Sequence, residues 1–149
     1  MRRFGDRRSV VGFCLAILIV FLLPGCSRAK LAIKLHRISG TLQRDGKPVP
    51  NLMVHFVPEK GGPSTGVAGP DGTFTLDYQK DRPGAVPGVH KVWVEYRPKS
   101  PQDDVEMREG RLKLADDQRE VIEKYGSLET TTLKVTIDGD KKDLLISLD

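Results

Sequence analysis

From residue 36 onward, apolar and polar side chains alternate with a period of two, and turn-forming residues interrupt the alternation at short intervals. This pattern is typical of half-buried β-strands. The alternating positions predict seven strands: Ile38, Gly40 and Leu42; Leu52, Val54 and Phe56; Thr65 and Val67; Phe74 and Leu76; His90, Val92, Val94 and Tyr96; Leu133, Val135 and Ile137; Leu144, Ile146 and Leu148. An all-β sandwich is the fold class that these strands favour.

Turn residues separate the predicted strands. The run 45–48, Asp-Gly-Lys-Pro, closes the first turn, and Pro58 ends the second strand because it lacks an amide donor. Pro-Asp-Gly at 70–72 lies between two alternating runs and predicts a hairpin. Asp-Gly-Asp at 138–140 predicts a further turn.

The segment 97–132 is longer and more charged than an ordinary loop. Asp117 and Glu120 have the spacing of a helix-capping box, and Gly126 offers a stop. Val121, Ile122 and Tyr125 share one helical face between these signals. One short helix laid over an end of the sandwich is therefore expected, and residues 98–109 are expected to be mobile.

The first 26 residues have the layout of an export signal. Four arginines at positions 2, 3, 7 and 8 precede the apolar run 10–23, which is shorter than the roughly 20 residues needed to span a membrane. The run ends in Leu23-Pro24-Gly25-Cys26 and resembles the lipobox of bacterial lipoproteins. This resemblance implies cleavage after residue 25 and attachment of diacylglycerol and palmitate-like acyl chains at Cys26. An uncleaved anchor, an ordinary signal peptide and twin-arginine export through Arg7 and Arg8 remain open.

Processing of this kind changes the charge and the cysteine inventory. The whole chain has a net charge of +4, but the signal carries four arginines, so the remainder is close to neutral and gives no indication of nucleic-acid binding. Cys14 would be removed and Cys26 lipidated, which leaves no cysteine pair for a disulfide. Residues 26–35 would form a lipidated basic tether or a solvated linker, and Ser27 favours delivery to the outer rather than the inner membrane.

Several motifs of the region 36–149 together resemble the carboxypeptidase regulatory-like, transthyretin-like domain. They are Ile-Ser-Gly-Thr-Leu at 38–42, Asp-Gly-Lys-Pro-Val-Pro at 45–50, Val-His-Phe-Val-Pro at 54–58, Gly-Pro-Asp-Gly-Thr-Phe at 69–74 and Pro-Gly at 87–88. Residues 123–127 and 133–137 further resemble the C-terminal half of a group of small bacterial envelope lipoproteins. The resemblance implies a seven-stranded immunoglobulin-like or prealbumin-like sandwich and a binding or scaffolding role without catalysis or a cofactor.

Histidine is the residue type that most invites a catalytic or metal-binding interpretation. His36, His55 and His90 lack the spacing of a metal motif, so no metal site is predicted. His90 stands where the family commonly has an aromatic residue, and it is expected to be buried, neutral and hydrogen-bonded to a loop carbonyl.

Other chemistries are disfavoured by specific departures. The chain ends in Ile-Ser-Leu-Asp rather than the Tyr-Arg-Gly-Ser of the transthyretin-like hydroxyisourate hydrolases, so that alternative is disfavoured. Asp138, Asp140 and Asp143 could hold calcium, but Lys141 and Lys142 between them oppose it. The sequence therefore predicts a protein that is not an enzyme.

Binding is the function that these exclusions leave. If the second strand and the His90 strand are neighbours, Met53, His55 and Val57 lie beside Trp93 on the outer face of one sheet. A protein partner in the envelope is the first interpretation, and a glycan stacked on an exposed aromatic platform is the alternative. The charged segment 97–132 could instead cover Trp93. The sequence identifies neither the partner nor the oligomeric state.

Overall fold

Residues 33–79 and 81–149 are described by a computed structural model. The predicted signal peptide 1–25, the lipidation site Cys26 and most of the tether lie outside the described residues. Residues 33–149 form one compact unit. No helix among the residues that the structure describes is long and apolar enough to cross a membrane.

The described chain is mainly β-structure. Its elements, in chain order, are β1 (Ile38–Arg44), β2 (Lys47–Pro48), β3 (Leu52–Pro58), β4 (Ser64–Val67), β5 (Thr73–Thr75), β6 (Asp77–Tyr78), β7 (Arg82–Pro83), β8 (Gly88–Tyr96), α1 (Pro101–Arg108), α2 (Asp116–Tyr125), β9 (Lys134–Ile137) and β10 (Lys141–Ser147). The seven predicted runs correspond to β1, β3, β4, β5, β8, β9 and β10. The additional strands β2, β6 and β7 have only two residues each, too few to show a period of two.

The strands form two sheets. One has the order β7-β6-β4-β3-β8-β9, and all its neighbours are antiparallel. In the other, β1 pairs with β10 in parallel and with β2 and β5 in antiparallel fashion. Apolar residues from both sheets form one core, an arrangement consistent with a β-sandwich.

The core is built by alternation. Leu42, Leu52, Val54, Phe56 and Val92 are fully buried on inward positions, as the period-two pattern predicts. In β4 the phase is different, because its buried positions are held by small residues whereas Thr65 and Val67 are only partly buried. The pattern of apolar side chains alone therefore does not show which residues of β4 point into the core.

The predicted hairpin at Pro70–Gly72 is wrong, although the turn itself is present. The Gly72 N–H donates to the Gly69 carbonyl at 3.0 Å, and Asp71 accepts from Thr73. However, β4 belongs to the larger sheet and β5 pairs with β1 in the other. Turn chemistry specifies a local reversal of the chain but not the partner of the next strand.

The segment 97–132 contains two helices rather than one. Helix α1 occupies most of the stretch expected to be mobile; Ser100 caps it by accepting from the Asp103 N–H, and Pro101 holds the first helical position. Helix α2 begins at Asp116 after Ala115, which provides no side-chain cap, so the predicted capping box at Asp117 is also wrong.

Helix α2 is held where β1 ends. Its Val121 and Tyr125 are buried in the core, as the shared face predicts. Arg44, the last residue of β1, donates to the Asp117 carbonyl at 3.1 Å and pairs with Glu120. The helix therefore lies at the end of the domain opposite to the start of β1.

Candidate functional site: an aromatic stack on the outer face of a sheet

The candidate site lies on strands β3 and β8, which pair along their whole overlap. In this antiparallel register, His55 is opposite Trp93, Met53 is opposite Glu95 and Val57 is opposite Lys91. The intervening residues of both strands point into the core. The structure therefore brings Met53, His55 and Val57 beside Trp93 on the outer face, in the positions that alternation predicts.

The His55 and Trp93 rings are stacked. Their centroids are 3.9 Å apart and their planes differ by 8°. Aromatic pairs of this kind contribute about 0.5–1.5 kcal/mol beyond the burial of their area. Because side chains stand roughly perpendicular to a sheet, a stack across neighbouring strands covers one face of the indole and directs ring edges outward.

Glu95 completes this group. His55 Nε2 lies 3.1 Å from Glu95 Oε1, and the His55 side chain is only 15% exposed whereas that of Glu95 is 47% exposed. The carboxylate fixes the imidazole edge while Trp93 fixes its face. Alternation along β8 puts Glu95 on the same face as Trp93, but its role as the partner of His55 was not predicted. The sequence signal for this contact is the position of Glu95 two residues after Trp93. Because His55 is opposite Trp93, Glu95 is its diagonal neighbour on the same face, within reach of a long side chain.

The border of the outer face contains both apolar and charged residues. Val67 of β4 is opposite Met53, and the Lys91 Nζ donates to the Leu128 carbonyl at 3.2 Å. A groove of about 270 Å³ lies beside the stack. It is lined by Val57, Pro58, Glu59, Val89, Lys91, Leu128 and Lys134.

The segment 97–132 meets this face at its border through Leu128, and its helix α2 also packs against β8. No residue of α1 is buried, and the buried residues of α2 belong to the core. Leu128 approaches through its bond from Lys91. Trp93 remains half-buried, with His55 against one side of its ring.

His90 lies on the inward side of β8. It is 0% exposed, and its Nε2 lies 2.9 Å from the Val86 carbonyl of the preceding loop. The expected burial and loop-carbonyl bond are therefore confirmed. Its Nδ1 has no hydrogen-bond partner, and its ring packs against Phe56 with centroids 5.9 Å apart.

The three histidines have separate partners, and the fold does not combine them into one centre. His36 contacts Asp140 at 3.2 Å, His55 contacts Glu95 and His90 contacts Val86. Within residues 33–79 and 81–149, no three His, Cys, Asp or Glu side chains are grouped as a metal would require.

The acidic turn after β9 is engaged in local contacts. Asp138 pairs with Lys141 at 3.1 Å, and Asp140 accepts from the Arg37 N–H at 3.0 Å. The backbone bond from Arg37 and the contact with His36 hold the pKa of Asp140 below its usual value. These oxygens stabilise the turn rather than converge on a common point.

The candidate site therefore consists of Trp93, His55, Glu95, Met53 and Val57 on the outer face of β3 and β8. Comparison with known proteins adds no residue to it. No family model, no curated protein and no solved structure matches this chain.

Proposed function

We propose that this chain is a non-enzymatic, lipid-anchored protein of the bacterial cell envelope that binds another envelope protein through the outer face of β3 and β8. The observation that carries the proposal is the half-buried Trp93, stacked on His55 among Met53 and Val57. Tryptophan with apolar and aromatic neighbours is the composition of energetically dominant positions in protein interfaces.

The anchor is proposed from the sequence. The lipobox at 23–26 follows a short apolar run, and acyl chains at Cys26 would give stable attachment because each buried methylene contributes about 0.8 kcal/mol. Ser27 favours the outer membrane.

A seven-stranded prealbumin-like sandwich of the carboxypeptidase regulatory-like class is the proposed fold. Two sheets with a shared core and the turn at 69–72 support it, whereas His90 departs from the aromatic residue that is usual at its position. In such a fold the outer faces are free to bind partners while the inner faces supply stability.

A protein partner is favoured over a glycan by the geometry of the stack. Sugar rings bind by lying flat on an aromatic face. Here His55 occupies one face of the indole at 3.9 Å, whereas the apolar neighbours Met53 and Val57 extend the surface along the strand. The arrangement offers an apolar patch with a polar border, which suits a folded partner.

The anchor is tested by replacing Cys26 with Ser. The substitution should abolish acyl labelling and move the protein from the membrane to the soluble fraction. Retained labelling and membrane attachment would show that Cys26 is not the lipidation site.

The binding surface is tested by crosslinking in cells and capture of the lipidated protein. We expect Trp93→Ala to lose a captured protein that the unaltered chain retains. Leu145→Ala is the matched control, because Leu145 is 59% exposed on the other sheet. Loss with both variants, or with neither, contradicts a partner site at Trp93, and capture of glycan alone supports the alternative ligand.

A further inference from the structure

One end of the domain gathers basic groups around the point where the described chain begins. The Arg82 guanidinium donates to the Ile33 carbonyl at 3.2 Å, and His36 pairs with Ala85 through two backbone bonds. The Lys141 N–H donates to the Arg37 carbonyl at 2.9 Å. We call this end the base of the domain; it comprises residues 33–37, 82–85 and 138–142.

A groove of about 770 Å³ opens at the base. It is lined by Arg37, Ile38, Ser39, Thr75, Pro83, Gly84, Asp140, Lys141 and Lys142. Its floor is thus partly apolar and its border carries three cationic side chains. This is the chemistry that accommodates a phosphate together with the hydrocarbon adjoining it.

The carboxylates at the base do not neutralise the cations of the groove completely. Asp138 is paired with Lys141, while Asp140 is held by His36 and by the Arg37 N–H. Among the described residues, Arg37 and Lys142 take part in no ion pair within 4 Å. Both side chains are exposed and available to an anion.

Charge is distributed unevenly along the domain. The sequence 27–37, which leads into the base, contains Arg28, Lys30, Lys34 and Arg37 and no acidic residue. The segment 97–132, which carries α1 and α2 at the opposite end, contains nine acidic and seven basic residues. An anionic surface would therefore attract the base more strongly than the helices.

We propose that the base docks on anionic phospholipid headgroups, with Arg37 and Lys142 binding phosphate at the groove. The inference rests on the proposed anchor. Cys26 is seven positions before Ile33, and seven extended residues span at most about 25 Å. A lipid attached at Cys26 would keep the base within this distance of the headgroups, and the outer face of β3 and β8 would then stand at the side of the domain rather than against the membrane.

The test measures hydrogen exchange of the processed, acylated chain, purified from cell membranes and reconstituted into vesicles. One set of vesicles is phosphatidylcholine and the other contains phosphatidylglycerol as well. We expect amides of residues 82–84 and 138–142 to exchange more slowly on the anionic vesicles only. Each basic side chain near an anionic surface changes the equilibrium constant for docking about fivefold, so Arg37→Gln with Lys142→Gln should lower this constant about 25-fold and reduce the protection.

The matched control is Lys47→Gln with Lys99→Gln, which removes two exposed charges at the other end of the domain. Its protection should equal that of the unaltered chain. Docking on lipid would be contradicted by equal protection on both kinds of vesicle, or by protection that Arg37→Gln with Lys142→Gln leaves unchanged. It would also be contradicted if inorganic phosphate alone gave the same protection. If the chain binds both kinds of vesicle but its protection does not depend on the lipid, the docking proposal is wrong and the anchor proposal stands. If the chain is recovered free of both kinds of vesicle, the anchor proposal is wrong as well.

Discussion

The imidazole of His55 lies flat against the indole of Trp93, with 3.9 Å between ring centroids. These two residues are directly opposite in the pairing of β3 and β8. One face of Trp93 is therefore already occupied within the domain. The indole therefore stabilises the pairing of β3 and β8 through the stack and also forms part of the outer surface.

Truncation should separate these two contributions. Val92 is 0% exposed on the inner face of β8, so Val92→Ala should lower the free energy of unfolding by about 1–3 kcal/mol. Trp93→Ala removes the stack, which contributes about 0.5–1.5 kcal/mol, together with the buried part of the indole; if Trp93 lies on the outer surface, the total cost should stay below that of Val92→Ala. Urea unfolding followed by circular dichroism measures both, because Trp93 is the single tryptophan and fluorescence would be lost with it.

The order of the two effects is decisive. If Trp93→Ala is the more damaging substitution, Trp93 belongs to the structural core and the proposed partner surface does not exist.

The contact between His55 and Glu95 should be weakly stabilising. Glu95 is 47% exposed, and solvent-exposed side-chain pairs contribute about 0.2–1 kcal/mol. A double-mutant cycle of His55→Ala and Glu95→Gln should give a coupling energy in this range. Glu59→Gln is the control, because Glu59 is exposed and lies outside the contact. A coupling energy well above about 1 kcal/mol would contradict the half-exposed geometry.

Period-two alternation was sufficient to predict the long strands, because each has one face in water and one in the core. It assigned Leu52, Val54 and Phe56 correctly to the inner face. It did not predict that the turn at Pro70 passes between sheets, since hydrogen-bond partners distant in sequence leave no local trace. Helix α1 was missed because a helix without a buried face has no apolar periodicity, although Ser100 and Pro101 were readable start signals.

The site was predicted in position but not in geometry. Alternation and the assumed pairing of two strands placed His55 near Trp93. The ring stack and the bond to Glu95 depend on side-chain torsions and register, which a single sequence does not specify. The basic groove at the base was not predicted either, because Arg37, Pro83 and Lys142 come from three separate parts of the chain.

Asp71 should contribute a pH dependence to stability in acid. The hydroxyl of Thr73 at 2.7 Å and then its N–H at 3.1 Å hold the pKa of Asp71 below the usual 3.8. A carboxyl whose pKa is lower in the folded state binds protons more readily when unfolded. Its stabilising contribution is therefore present above about pH 4 and is lost as the pH falls through the folded-state pKa.

Thr73→Val tests this cause directly. Loss of the hydroxyl bond should move the pKa of Asp71 upward, toward its usual value, in a carboxyl-carbon NMR titration. Thr75→Val is the matched control, because Thr75 is exposed on the same strand and makes no contact with Asp71 among its described hydrogen bonds. A pKa unchanged by Thr73→Val would show that the hydroxyl does not stabilise the carboxylate.

Gly40 should tolerate no side chain, because β1 and β10 approach closely there. A Cβ at Gly40 would lie 2.1 Å from the Leu144 carbonyl oxygen, a backbone atom that moves only with its strand. Gly40→Ala should therefore cost about 3 kcal/mol or abolish folding. Gly139→Ala is the control: nothing lies within 4 Å of its Cβ position, so its effect should stay within about 0.5 kcal/mol. Denaturant midpoints of the two variants give the comparison, and equal midpoints would contradict the parallel pairing of β1 with β10 at Gly40.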